Sequence, residues 1–232
     1  MQSPIRYFTD SGPIANTDFF HNFGESSYHK PSWIYTYLDE RLDVRITIIY
    51  PRIFADDTLE DLLNEKVYET FFHGRNKVEN FAPEKEMYCS IDITHKVTRK
   101  DEQFLSLLIY EYSSYRRAAH PADSYTALTL SLETGKALTL RDIVGEDCTM
   151  EQLLSSDAFH FMWLWQEDSE EEWMQHIRDQ YDESDLDAFN DCFYLTEDSL
   201  GLIVYWNDYT CIEAKFTDLG LDEWITAPQE DK

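Results

Sequence analysis

The sequence predicts an α+β fold, a mainly antiparallel sheet with helices packed on it, and three patterns carry that expectation. Residues 104–112 place Phe104, Leu105, Leu107, Leu108, Ile109, Tyr110 and Tyr112 in a run of strand length. Residues 125–132 alternate Leu128, Leu130 and Leu132 with Thr129 and Ser131, so both runs are expected on one half-buried sheet. The third pattern is order: a strand is followed at once by a helix, then by a β-meander and a C-terminal hairpin, which favours antiparallel α+β over alternating βαβ units.

The elements follow in chain order. Residues 1–30 mix turn formers with isolated aromatics and are expected as an irregular N-terminal arm. Residues 33–37 predict a short strand, and 43–50 predict a second with Val44, Ile46 and Ile48 on one face, stopped by Pro51. Asp57 as cap and Glu60 at the capping-box position open a helix whose stripe is Leu59, Leu62, Leu63, Val67 and Phe71. This strand–helix subdomain, 31–86, ends in a charged linker over 74–86. Residues 87–94 pair with the 104–112 strand across Arg99-Lys100-Asp101. Tyr110 and Tyr112 share a face, with Glu111 opposite. Residues 115–123 are a loop, because Pro121 has no ladder donor and biases His120 away from helix.

After the 125–132 strand, Glu133-Thr134-Gly135-Lys136 reads as a reversal with glycine at positive φ, and Thr139-Leu140-Arg141-Asp142-Ile143 starts a short helix. Residues 159–165 fit a helix capped by Asp157, although Phe161, Trp163 and Trp165 also alternate like a strand. Ser169 and Glu172 form a second capping box for a helix whose stripe is Trp173, Ile177 and Tyr181. The helix dipole accounts for Glu170, Glu171 and Glu172 at its start. Residues 193–205 form a hairpin turning near Ser199, and 87–225 joins 31–86 in one compact unit.

Composition narrows the function. The chain has 232 residues and a net charge of −27, which repels nucleic acid. The charge is uneven: between Asp142 and Asp198 stand 18 acidic residues against one base, Arg178, while the rest of the chain holds 28 acids and 18 bases. A solvated, solubilising surface is one reading, and an attraction for a cationic partner is the other. No stretch approaches the ~20 apolar residues of a membrane span, and Met1-Gln2-Ser3-Pro4 lacks the basic and apolar regions of a leader. The expected location is therefore extracytoplasmic if a leader was removed and cytoplasmic otherwise. Cys89, Cys148, Cys192 and Cys211 contain no C-x-x-C pair, and the hairpin register would set Cys192 opposite a residue near Asn207, away from Cys211. Buried free thiols are expected.

Motifs for catalysis are scarce. The chain has no H-E-x-x-H, no G-x-S-x-G and no P-loop, and its seven glycines leave little material for phosphate cradles. Asp182, Asp185, Asp187 and Asp191 suggest a calcium loop only superficially, since the required glycine is absent and Leu186, Ala188 and Phe189 break the ligand spacing. His120 with Asp123 or Asp142 has the residue types for acid–base work, but a turn histidine bonded to nearby backbone or to a tyrosine is the simpler reading. His160 and His176 have no evident metal partners. No catalytic residue, metal or cofactor is expected, and a non-catalytic protein is favoured over an enzyme.

One resemblance goes further. The order of tyrosine-rich strand, Ala119-His120 turn, strand, Thr134-Gly135-Lys136 and Leu138-Thr139-Leu140-Arg141-Asp142-Ile143 resembles a family of paired bacterial domains of unknown function found outside the membrane. They occur in the lysozyme-sensing part of a membrane-bound anti-sigma factor and in the accessory region of a peptidoglycan polysaccharide deacetylase. Tyr50-Pro51-Arg52-Ile53 before a helix carrying Asn64, Phe193-Tyr194-Leu195-Thr196-Glu197-Asp198, and Tyr205-Trp206-Asn207-Asp208-Tyr209 agree in order. The family's glycines around the Ala-His turn are replaced here by Arg116, Arg117, Ala118 and Pro121. The resemblance implies a binding or sensing module of the bacterial cell envelope that recognises a lysozyme-like cationic protein or peptidoglycan. Tyr112, Tyr115, His120, Trp206 and Tyr209 are its candidate ligand-binding residues. A soluble acidic inhibitor or immunity-type protein that masks a basic toxin is the alternative, and an uncharacterised hydrolase is a third.

Overall fold

Ten strands and five α-helices follow one another in the computed structural model, which describes residues 5–11, 32–39, 44–55, 57–72, 88–115, 119–162, 169–181, 183–206 and 208–224. The strands are β1 (Ile5–Ser11), β2 (Ser32–Asp39), β3 (Val44–Pro51), β4 (Tyr88–Lys100), β5 (Phe104–Tyr115), β6 (Ala122–Ser131), β7 (His160–Phe161), β8 (Phe193–Leu195), β9 (Ser199–Trp206) and β10 (Asp208–Lys215). The helices are α1 (Asp57–Phe72), α2 (Leu140–Val144), α3 (Met150–Leu154), α4 (Glu170–Tyr181) and α5 (Phe216–Leu219). One sheet has the order β1-β2-β3-β4-β5-β6 and the other β7-β10-β9-β8. The fold is α+β and mainly antiparallel, as the sequence predicts. The linker over 74–86, Trp163, Trp165, Asp182 and the side chain of Cys89 lie outside the described residues.

The chain divides into two compact units, Met1–Lys96 with Ile109–Ser124, and Val97–Leu108 with Tyr125–Lys232. In the first, part of the expected arm is strand: Ile5–Ser11 pairs antiparallel with β2, Ile5 opposite Leu38. Its seven residues are too short and too mixed for a period of two to stand out. The alternation in β3 is as predicted, with Ile46, Ile48 and Tyr50 each at most 2% exposed. The pair β3–β4 is parallel, with Ile46 opposite Ile91, because α1 carries the chain back before β4 begins.

Helix α1 buries Leu63, Val67 and Phe71 completely, each worth about 1.5–3 kcal/mol. Leu62 lies off this stripe and is 44% exposed. Phe72 extends the buried face, meeting Tyr35 edge-on at 5.3 Å and Tyr50 at 5.4 Å. Asp57 is the first helical residue, and Glu60 reaches back to the Ala55 N–H (3.3 Å), two residues before the expected cap. Beneath α1, His95 is buried with its Nδ1 3.0 Å from the Ile49 carbonyl. A carbonyl only accepts, so Nδ1 carries the proton.

In the second unit the expected half-buried sheet is covered on both faces. Leu105, Ser106, Leu107 and Leu108 are buried consecutively, and so are Ala127, Leu128, Thr129, Leu130 and Ser131. The hydroxyls on the polar face are bonded within the protein: Ser106 Oγ and Thr129 Oγ1 are 2.8 Å apart, and Ser106 Oγ accepts the Leu195 N–H at 2.9 Å. The Ala127 N–H also donates to the Asp191 carbonyl (2.7 Å), so the chain leading into β8 runs along the edge of β6. Gly135 has φ 71° in the predicted reversal, and Thr139 with Asp142 forms a complete capping box on α2.

The core of this unit gathers Leu140, Ile143, Met150, Leu154, Ile177, Phe193, Leu200, Leu202, Ile212 and Phe216. Helix α4 contributes Met174 and Ile177, while Trp173 and Tyr181 from the expected stripe are half-buried. Two expectations need correction. Residues 160–161 are a strand where a helix was expected, because Phe161 pairs with Ile212 and the Met162 N–H donates to the Cys211 carbonyl at 3.0 Å. Asp157 caps nothing there and instead meets Arg178 at 3.1 Å.

The hairpin also turns earlier than expected, at 196–198, with Leu195 opposite Leu200. This sets Ile203, rather than Asn207, against Cys192, whose carbonyl accepts the Ile203 N–H at 2.7 Å. Ile203 is paired on its other side with Cys211. Cys192 and Cys211 therefore sit two strands apart, about 9–10 Å at ordinary sheet spacing, too far for a disulfide. Cys148, Cys192 and Cys211 are free thiols.

Candidate functional site

The candidates fall on two hairpins. Tyr112 and His120 belong to the β5–β6 hairpin of the first unit, and Trp206 and Tyr209 to the β9–β10 hairpin of the second. Tyr112 is half-buried. Its neighbour Tyr110, also half-buried, donates its hydroxyl to Asp123 Oδ1 at 2.8 Å, tying the two strands together. His120 is exposed, and its Nδ1 lies 3.1 Å from the Pro121 carbonyl, a turn bond to adjacent backbone. The side chains of Tyr115, Trp206 and Tyr209 and all of 116–118 lie outside the described residues. The backbone sets Trp206 opposite Asp208 and Tyr209 opposite Tyr205.

The strand register brings together a polar row that sequence reasoning missed. Tyr194, Gly201, Glu213 and His160 stand side by side across β8, β9, β10 and β7. Gly201 is required there, since a Cβ would come within 2.2 Å of the Tyr194 ring lying over it. The Tyr194 hydroxyl crosses the glycine to donate to Glu213 Oε1 at 2.7 Å. At the open end, His160 Nδ1 lies 3.2 Å from Glu170 Oε1, which also accepts the Phe161 N–H at 3.1 Å. The signal for this row was the alternation of Ile212, Glu213 and Ala214, which gains meaning only once β10 is known to be a strand.

These groups do not amount to a nucleophile with its base. Burial pushes the Tyr194 phenol well above its ordinary value. Burial, with the Asp191 charge beside it, pushes the Cys192 thiol up to about 12, and burial raises Cys148 as well. Phenol and thiols therefore hold their protons at neutral pH. His160 and Glu170 are 70% and 40% exposed, a surface pair. Among the described residues no His, Cys, Asp and Glu gather as metal ligands.

The acidic stretch has a definite placement. Of the fifteen described carboxylate residues between Asp142 and Asp198, fourteen are exposed and Glu170 is half-buried. Three cations of this unit are engaged with them. Arg141 meets Asp185 at 2.7 Å and Asp187 at 3.0 Å, Arg178 meets Asp157, and Lys215 meets Asp198. The Asp187 N–H and then Arg141 hold the Asp185 carboxyl below its usual value. Asp185 also caps the 3-10 turn Leu186–Phe189, so two of the four acids that suggested a calcium loop, Asp185 and Asp187, have structural partners. The second unit therefore presents a strongly negative, solvent-exposed surface.

No protein-family model matches the chain, and no curated protein matches it. Among solved structures it is similar to a DUF3298 family member from Bacteroides fragilis NCTC 9343, at 17% identity and TM-score 0.43, covering 92% of this chain and 88% of that one. A DUF3298 family protein from Pseudomonas aeruginosa PAO1 is similar at 12% identity and TM-score 0.49, covering 97% of this chain and 94% of that one. At these values neither similarity bears on ligand, partner or activity.

Proposed function

We propose that this chain is a non-catalytic binding module of the bacterial cell envelope, working outside the membrane, that recognises a cationic wall-active protein of the lysozyme kind. The observation that carries the reading is the exposure of nearly every described carboxylate between Asp142 and Asp198, with the unit's Arg141, Arg178 and Lys215 already paired. Exposed carboxylates steer a basic protein toward this unit and speed its association. Peptidoglycan suits the surface less well, because its stem peptides carry carboxylates of their own. Tyr112, Tyr115, His120, Trp206 and Tyr209 are the candidates for the short-range contacts that charge alone does not supply. A soluble inhibitor of a basic toxin is favoured by the same acidic surface, and the compartment in which the chain resides separates the two readings.

The test is binding of lysozyme beside an unrelated protein of similar basic charge, followed from about 50 mM to about 300 mM salt. Exposed charges are screened beyond about 8 Å at physiological ionic strength, so association with both slows as salt rises. Lysozyme is expected to keep a measurable, slower dissociation at the higher salt while the control is lost. If the two bind equally weakly and vanish together, the acidic surface serves solubility and the reading fails.

A further inference from the structure

Phe161, Ile212, Leu202 and Phe193 stand side by side across β7, β10, β9 and β8 and face the core of the second unit. Strand alternation therefore turns His160 and Met162, Cys211 and Glu213, and Gly201, Ile203 and Tyr205 to the opposite face of this sheet. The centre of that face is closed, since Ile203 and Cys211 are buried. Its two sides are open. Met162, directly after β7, is 41% exposed and Tyr205 on β9 is 48% exposed; among the described residues of the second unit these are the exposed large apolar side chains, and both lie on this one face.

The backbone holds both in place. The Met162 N–H donates to the Cys211 carbonyl and so extends the β7 pairing by one residue. Tyr205 stands opposite Tyr209 in the β9–β10 ladder, and its N–H donates to the hydroxyl of Tyr181, the last residue of α4, at 3.0 Å. Met162 and Tyr205 are two strands and two residues apart, about 12 Å between Cα atoms at ordinary sheet spacing, which fits within one contact patch. A carboxylate is fixed at the β7 edge as well, because Glu170 Oε1 accepts the Phe161 N–H and lies against His160.

We propose that Met162 and Tyr205 are the short-range anchors for a basic protein, packing on the apolar stems of its lysines and arginines while the unit's carboxylates meet the charged heads. The inference rests on the reading of the chain as a module that captures such a protein, and it assigns the contact to two residues outside the earlier candidates. Charge selects the occupant. The same unit exposes fourteen carboxylates between Asp142 and Asp198, whereas a second copy of this chain would bring a further −27 to the contact.

Lysozyme binding to the full chain tests this at about 150 mM salt, where exposed charges are screened beyond about 8 Å. Met162→Ser with Tyr205→Ser removes the anchors and leaves every charge, so dissociation is expected to be about tenfold faster and association unchanged within about twofold. Met162→Leu with Tyr205→Phe keeps the apolar surface and is expected to match the wild type. Phe54→Ser with Leu62→Ser, at exposed positions of the first unit, is expected to match it too. Tyr205→Ser alone, at the more exposed position, gives the same reading with less disturbance of the sheet. If the wild type retains lysozyme and the serine pair releases it no faster, or if the first-unit pair speeds release equally, the anchors are overturned and the binding module stands. If the wild type itself releases lysozyme as fast as an unrelated protein of similar basic charge, the module reading falls and the anchors fall with it.

Discussion

His95 shows how one buried residue sets a pH limit on the first unit. It lies under α1 with the Phe71 ring edge-on at 5.6 Å, and burial, partly opposed by the Ile49 carbonyl, pulls its imidazole down from 6.5 to about 4. The unfolded chain takes up the proton below about 6.5, and the folded chain refuses it until about 4. Stability from this group is therefore complete above pH 6.5 and is lost as pH falls toward 4, by about 3 kcal/mol in all. Denaturant unfolding at about pH 7 and about pH 4.5 is expected to show that loss in the wild type, and His95→Gln is expected to reduce the difference between the two pH values. Nothing in the sequence marked His95, because a histidine in a strand reveals its burial only when the helix above it is placed. His120 is the converse, conspicuous beside Pro121 yet exposed and, among the described residues, bonded to neighbouring backbone.

Between elements, Asn64 explains a motif that the sequence displays without its reason. From α1 its amide accepts the Ile53 N–H at 3.0 Å and donates to the Ile53 and Glu60 carbonyls at 2.8 and 2.9 Å, completing the backbone as β3 gives way to the helix. Asn64→Ala leaves the part-buried Ile53 groups without this partner and is expected to cost about 1–3 kcal/mol. Thermal unfolding checks it, and Asn64→Asp, which keeps the acceptor but not the donor, should fall between. The elements legible in the sequence were those set by local chemistry: the start of α2 near Thr139, the Gly135 reversal and the β3 alternation. Strand β7 was missed because its two residues are defined by a partner about fifty positions away, and β5 and β6 looked half-buried because Ser106 and Thr129 meet protein where alternation predicts water.

For the whole molecule, the charge asymmetry was fully legible and the polar row across the second sheet was not. The acids can be counted in the sequence, and the structure adds that they are exposed and that the nearby cations are engaged. The Tyr194–Gly201–Glu213–His160 row required a register that no local pattern supplies. The central claim is that the second unit's own carboxylates, rather than net charge at large, draw the partner in. The direct measurement is the association rate of lysozyme with two variants that lose the same charge from exposed helical positions. One is Glu171→Gln with Glu172→Gln at the start of α4, and the other is Asp61→Asn with Glu65→Gln on α1. The account predicts that the α4 variant associates roughly two- to fivefold more slowly at low salt while the α1 variant matches the wild type. Equal slowing of both, or of neither, would contradict it.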